Sequence, residues 1–348
     1  MPAKTIGWDI GGAHIKAALI DEQGSVQQVL QQPCQLWQGI QELHRVMQSM
    51  LEQLVADDAL HAVTMTGELV DLFASRSDGV LQIVAAVQSR LAGQEIHVYA
   101  GNSGFLEASC VDTGKARMIA SANWLASASW AAESLPAGVF FDIGSTTTDI
   151  LLFDNGRVNA VGMTDYQRLC SGELVYTGIV RTPVMAIDEK GIFQGHQVGL
   201  MAEYFATMAD VYRLTGELHE AHDQTPAADG GEKTVAGSAR RLSRMVGCDF
   251  DPDQLPDWMA FAQDLRARQL DRIERACNRQ LARAGNVEAV FVGAGVGRFL
   301  VRELAEKNNL CYIDFSSLLA HQRQNEGLQI ADCAPAVAIA ALLQGSSG

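Results

Sequence analysis

The sequence has no run of about eighteen apolar residues free of charge, so no membrane-spanning helix is expected. It has no Cys-x-x-Cys pair. Its seven cysteines (34, 110, 170, 248, 277, 311 and 333) are scattered and odd in number, which points to reduced thiols and away from a zinc site. It is short of positive charge: 26 Lys and Arg face 41 Asp and Glu, a formal charge of −15. That balance argues against a general nucleic-acid-binding surface, although a local site can still hold an anion. Met1-Pro-Ala-Lys-Thr-Ile6 runs straight into a strand-like pattern, so no signal peptide is expected and the location is read as cytoplasmic. Gly345-Ser-Ser-Gly348 is left out of the fold reading.

What is present is a globular composition, 48% hydrophobic and 19% charged, in 348 residues. That length fits two domains sharing a cleft. Two segments are alike: Ile6-Gly-Trp-Asp-Ile-Gly-Gly-Ala-His-Ile-Lys-Ala-Ala-Leu-Ile-Asp21 and Val139-Phe-Phe-Asp-Ile-Gly-Ser-Thr-Thr-Thr-Asp-Ile-Leu-Leu-Phe-Asp154. Each reads as a strand, an Asp-Ile-Gly turn and a second strand. Third strands are expected at Ser25–Leu30 and Arg157–Gly162. The repeat predicts a duplicated domain, 1–134 and 135–345.

Between the copies, helical spacing covers 37–55 and 79–91. Strands at 62–67 and 95–100 deliver Glu68 and Gly101-Asn102, and 119–133 reads as a connecting helix. Residues 198–285 read as a helical insertion, with helices at 201–214, 232–245 and 258–284 and a flexible polar loop at 219–232. A strand at 286–292, Gly293-Ala-Gly-Val-Gly297, a helix to about Lys307, a strand at 310–313 and a helix at 335–343 complete an α/β pattern.

Asp9 and Asp142 each end a strand beside a glycine turn, where backbone N–H groups can face an anion. A carboxylate there would act on phosphate through a divalent cation, most simply Mg²⁺ with retained waters. Lys16, Ser145, Thr146 and Thr147 can donate to phosphate oxygens, and Gly293–Gly297 is a third anion- or nucleotide-contacting loop. Alone, each loop is equally a tight turn or a close helix–strand contact.

Together they resemble the actin/Hsp70/sugar-kinase superfamily, in which two ribonuclease-H-like, actin-like ATPase domains close on a phosphate ligand. Five motifs narrow the resemblance: Trp8–Ala18, Met65-Thr-Gly-Glu-Leu69, Ala120-Ser-Ala-Asn-Trp124, Asp142–Asp149 and Gly172–Pro183. They are similar to the hydantoinase/oxoprolinase branch, and within it to proteins of tetrahydromethanopterin-linked one-carbon transfer, a group that includes a methanofuran-biosynthesis synthase. The resemblance implies two ribonuclease-H-like domains around a cleft, with the insertion in the second. It implies a transferase that joins an aminomethylfuran-methyl diphosphate to the phenol of tyramine, γ-glutamyltyramine or tyrosine, releasing pyrophosphate. Mg²⁺ is the implied cofactor, and ATP is the less favoured one. The alternatives are an ATP-dependent small-molecule kinase or hydantoinase-like hydrolase, and an ATP-driven conformational regulator. The partners are small molecules, and a homodimer is compatible with the sequence.

Within this reading Asp9, Lys16, Glu68 and Asp142 are the catalytic candidates, with Asp9 and Asp142 on the metal. Gly11, Gly12, Ala13, His14, Gly144, Ser145, Thr146, Thr147, Gly293 and Gly295 line the anion or cofactor site. Asn102, Asn123, Glu173 and Arg181 are substrate-binding candidates. Each has a plainer reading. Lys16 is equally a surface lysine, His14 a hydrogen-bonded turn residue, and Glu68 a helix N-terminal carboxylate. Asn102 fits an Asx turn. Glu173 and Arg181 fit internal salt bridges, and Asp149 is a second metal carboxylate or a paired strand residue. Trp124 and Tyr176 either stack on substrate rings or fill core, and Asp210 and Arg213 fit a surface i,i+3 pair.

Overall fold

The structure, a computed structural model, describes residues 3–56, 58–284, 290–321 and 327–346. The first half begins with β1 (Thr5–Ile10), β2 (His14–Ile20) and β3 (Val26–Pro33), an antiparallel meander. Then come α1 (Ile40–Leu51), β4 (Leu60–Met65), α2 (Arg76–Arg90), β5 (Ile96–Tyr99) and β6 (Phe105–Glu107). The strands form one sheet in the order β3-β2-β1-β4-β5-β6, with β4 parallel to β1 and β5 parallel to β4. All six residues of β1 are buried, as expected of a central strand covered on both faces. Two short helices, α3 (Ala116–Ile119) and α4 (Asn123–Ser134), lead to the second half.

That half repeats the plan. Its elements are β7 (Ala137–Ile143), β8 (Thr148–Asp154), β9 (Arg157–Val158), α5 (Asp165–Ser171) and β10 (Leu174–Val175). The insertion follows, with β11 (Lys190–Phe193), β12 (His196–Gly199), α6 (Met208–Thr215), α7 (Val235–Met245) and α8 (Leu255–Ala284). The chain ends with β13 (Val290–Ala294), α9 (Arg298–Lys307), β14 (Tyr312–Asp314) and α10 (Ala334–Ser346). The sheet order is β10-β8-β7-β13-β14, with β9 against β8 and with β13 and β14 parallel to β7. Thus β7, β8, β13 and β14 take the places of β1, β2, β4 and β5. Asn155 and Gly156 both have positive φ (47° and 74°), as a two-residue hairpin turn requires.

The halves exchange helices. α4 leaves the first half and packs on β7 and β8, while α10 leaves the second half and packs on β1, β2 and β4. The two helices also pack on each other. Gly7 makes this possible: a Cβ there would lie 1.9 Å from the Ala336 carbonyl oxygen, so α10 lies directly on the β1 backbone. One apolar cluster joins Ala18, Ala62, Trp124, Phe140, Val292 and Ile339 and so spans both halves.

Several expected boundaries differ. The connecting helix is broken at Ser121, whose φ is +49°, and this turns its hydroxyl to donate to Glu68 Oε1 at 2.7 Å. The third strand of the second half stops at Val158, because the Val161 and Gly162 N–H groups donate to the Glu173 carboxylate at 2.7 and 2.8 Å. The first insertion helix starts only at Met208, where Thr207 and Asp210 form a capping box, and the β11–β12 hairpin before it was not anticipated. Residues 286–289 of the strand expected at 286–292 lie outside the described residues, as do Ser347 and Gly348. The polar 219–232 stretch is knit by ion pairs: Arg213 with Glu220 and Asp223, Lys233 with Asp223, and Arg241 with Asp229. Asp210 and Arg213, expected as a surface pair, are instead buried in this network.

Candidate active site

The ends of β1 and β7 open on a cavity of about 400 Å³ between the halves. The turn after β1 contributes Asp9, Gly11, Gly12, Ala13 and His14, and β2 adds Lys16. The turn after β7 contributes Asp142, Gly144, Ser145, Thr146 and Thr147, and β8 adds Asp149. Asn123, Trp124, Tyr176 and Arg181 complete the part that the sequence anticipated.

Both turn carboxylates are buried. Burial raises Asp9 to about 6, with Lys16 and a 3.5 Å hydrogen bond from Asn123 pulling the other way. Burial raises Asp142 to about 7, again against Lys16 and with help from Asp149 and Asp9. Burial opposes the charge of Lys16, but Cys333, Asp142, Asp9 and Asp332 around it more than offset that and raise its pKa. Lys16 Nζ donates to the Asp332 carbonyl at 2.7 Å, so it is an interior ammonium and not a surface lysine. His14 is lowered to about 4 by burial and by Lys16 and Arg181 nearby, and its Nε2 has no partner among the described residues. It is therefore a neutral imidazole in the cavity wall, with Nε2 buried.

The second turn is braced from behind. The Val180 and Arg181 N–H groups donate to the Ser145 carbonyl, and Thr182 Oγ1 reaches the Thr146 carbonyl. This brace keeps the three hydroxyls at the cavity wall, with Arg181 Nη1 at 3.4 Å from Thr146 Oγ1.

Other candidates lie elsewhere. Gly293 and Gly295 do not line the cavity. Gly295, at φ +76°, backs Asp142, since a Cβ there would lie 2.4 Å from Oδ1 of that residue. The Gly295 and Gly297 N–H groups donate to the Ala331 and Ile143 carbonyls, so the protein itself occupies those donors. Glu68 is one layer behind the wall: its Oε1 takes Ser121 and Arg76, burial raises its pKa, and only Ser121 reaches the cavity. Asn102 is exposed on the turn after β5, away from the cavity. Glu173 is fully buried and holds Val161, Gly162, Ser171 and Arg283, so it has no capacity left for a substrate ammonium.

Sequence reasoning missed Arg168, Asp165 and Arg76. Arg168 of α5 is buried, pairs with Asp149 and lies 4.0 Å over the Trp124 ring. Asp149 thus gains a fixed cation, and Trp124 a cation on its face. Arg76 of the first half bonds Asp165 of the second at 2.8 Å, and also Ser121 and Glu68, tying the two rims of the cleft. The capping box Thr164–Gln167 was a readable signal for α5, but nothing in it aims Arg168 inward.

Among the described residues no group of three or more His, Cys, Asp or Glu side chains could hold a metal ion, and no helix is long and apolar enough to cross a membrane. The family model described as Hydantoinase/oxoprolinase matches residues 59–337. The chain belongs to the hydantoinase/oxoprolinase family. Within reach of this family member is a protein of Methanocaldococcus jannaschii, 28% identical over 99% of this chain and 98% of its own length. It is named (4-{4-[2-(γ-L-glutamylamino)ethyl]phenoxymethyl}furan-2-yl)methanamine synthase. A protein of the same name from Methanococcus vannielii is 24% identical over 59% of this chain and 90% of its own. Among solved structures, nucleotide-free acetone carboxylase shares the fold, with a TM-score of 0.57 at 10% identity over 98% of this chain and 70% of its own. The hydantoinase/oxoprolinase chain is α/β, with two halves of the same sheet plan around a cleft.

Proposed function

We propose that this chain is a transferase of methanofuran biosynthesis that condenses an aminomethylfuran-methyl diphosphate with a phenol to form an aryl ether and pyrophosphate. The observation that carries the reading is the pair of matched glycine turns, each with a buried aspartate, opening on one cavity with Lys16 between them in charge. The full-length likeness to a synthase whose named product contains a phenoxymethylfuran supports the choice of substrates.

The bond from the furan CH₂ carbon to the diphosphate oxygen breaks, and its electron pair leaves with pyrophosphate. The phenol oxygen forms the new bond to that carbon. Lys16, the hydroxyls of Ser145, Thr146 and Thr147, and the turn N–H groups oppose the charge growing on the leaving group. Two buried carboxylates with raised pKa, too few for an all-protein cage, fit Mg²⁺ that keeps its waters, so Asp9 and Asp142 would hold it. When bound, Mg²⁺ adds neutralising charge to the diphosphate. The phenol, with an ordinary pKa of about 10, needs a proton acceptor. His14 is the base in this reading: it lines the cavity as a neutral imidazole, and its Nε2, buried and unpartnered among the described residues, turns toward the phenol to take the proton. An anionic diphosphate beside it offsets Lys16 and Arg181 and raises its basicity. Tyr176, exposed at the cavity, offers a face for a furan or phenol ring, whereas Trp124 is buried beneath Arg168.

Incubation of the protein with the furan diphosphate, Mg²⁺ and tyramine, γ-glutamyltyramine or tyrosine is expected to release pyrophosphate and coupled ether in equal amounts. No ether with any of the three, together with substrate-stimulated ATP hydrolysis, would contradict it.

A further inference from the structure

A second pocket, of about 480 Å³, adjoins the cleft cavity. The two share Leu169, Leu174 and Tyr176, so one continuous wall runs from the aspartate turns into the second pocket. Leu169 and Tyr176 are largely exposed along it, a surface suited to an apolar or aromatic chain. The far wall is one face of α8, with Arg272, Arg275 and Arg279.

The charge on this face is unlike that of the rest of the helix. Arg266, Arg268, Arg275 and Arg283 of α8 each pair with a carboxylate. Arg272 and Arg279, both in this pocket, have no carboxylate partner among the described residues. Arg272 gives one guanidinium nitrogen to the Ala186 carbonyl at 2.9 Å, which fixes its plane. Burial, and then Arg275 beside it, lower its pKa. Arg279 rests against Gly172, where a Cβ would lie 3.2 Å from its Cζ, so the glycine admits the guanidinium to the pocket. In a protein of charge −15, two unpaired arginines facing one hollow next to the cleft call for an anion.

We propose that this arginine pocket binds a carboxylate carried on the tail of the phenol substrate, while the phenol ring lies along Leu169, Leu174 and Tyr176 and its oxygen enters the cleft. The inference rests on the aryl-ether reading and selects among its acceptors. A phenol with a carboxylate on its tail, as γ-glutamyltyramine or tyrosine has, is the substrate class. Tyramine, which has only a cationic amine, is disfavoured in the same pocket.

The test compares γ-glutamyltyramine, tyrosine and tyramine with the intact protein and with Arg272→Gln and Arg279→Gln. Coupling is read as kcat/KM, and acceptor binding is read separately by calorimetry. The intact protein is expected to favour one carboxylate-bearing acceptor over tyramine by about tenfold or more. Each variant should lose about tenfold or more with that acceptor, mainly in KM, and little with tyramine. Arg279→Lys should restore part of the loss. Equal losses with all acceptors would assign the arginines to the diphosphate or to folding and overturn the inference. So would a preference for tyramine, or no loss at all. If nothing couples but a carboxylate-bearing phenol binds through Arg272 and Arg279, the pocket stands and the aryl-ether chemistry falls.

Discussion

The two halves follow the same chain path but carry opposite charge at one matched position. On β1 and β2, Asp9 stands in register with Lys16. On β7 and β8, Asp142 stands in register with Asp149. Lys16 sends its ammonium inward, toward both turn aspartates and the Asp332 carbonyl. Asp149 turns instead to the buried Arg168. A single charge reversal within the repeat thus divides the labour. The first half supplies a buried cation to the cavity, and the second supplies a fixed ion pair and a row of hydroxyls. A symmetric cleft with two such aspartates on each side would hold too much negative charge to accept a diphosphate.

The comparison breaks first at the aspartates. Asp9→Asn and Asp142→Asn should each reduce Mg²⁺-dependent coupling by about 10³-fold or more while the thermal unfolding midpoint stays near that of the parent. Steady-state rates and a melting curve measure both. A loss confined to one variant would mean that the halves do not act on the same charge.

The reversed position is the next place to press. Lys16→Met should lower kcat by about 10²–10³-fold. Asp149→Asn should act mainly on stability, costing about 3 kcal/mol, because it leaves the buried Arg168 with only the longer 3.9 Å contact to Asp165. Denaturant titration and initial rates on both variants separate the roles. If Asp149→Asn were stable yet as inactive as Lys16→Met, the proposed division would be wrong.

The smallest effect is one of acid stability in the first half. Trp8 Nε1 donates to His61 Nδ1 at 3.1 Å, and burial lowers His61 to about 4 from an ordinary 6.5. The unfolded chain binds this proton at the higher pH, so the contribution of His61 to stability is unaffected above about 6.5 and falls as pH drops from about 6.5 to 4. His61→Gln, which keeps an acceptor for Trp8, should remove much of that slope, an effect of about 1–3 kcal/mol in urea unfolding at pH 4 against pH 7.

The duplicated strands and the glycine turns were legible because they are local: a buried central strand reads as an apolar run, and a tight turn needs particular residues. Asp9, Lys16, Asp142 and the hydroxyls of 145–147 could be found for that reason. What was not legible depends on partners distant in the chain. Glu173 looks free in sequence, but it is spent on the N–H groups of Val161 and Gly162. Gly293–Gly297 has the composition of an anion loop, but its Gly295 and Gly297 donors meet Ala331 and Ile143. Arg76 reaches Asp165 across 89 positions, and no periodicity encodes that. The polar run 219–232 read as loose because its countercharges, such as Arg213 and Arg241, sit on other elements.

The central claim is that both turns grip one diphosphate group. Calorimetric titration of pyrophosphate into the protein with Mg²⁺ tests it most directly. The account predicts one saturable site that is lost in both Asp9→Asn and Asp142→Asn. No binding to the parent protein, or binding that survives in both variants, would contradict it.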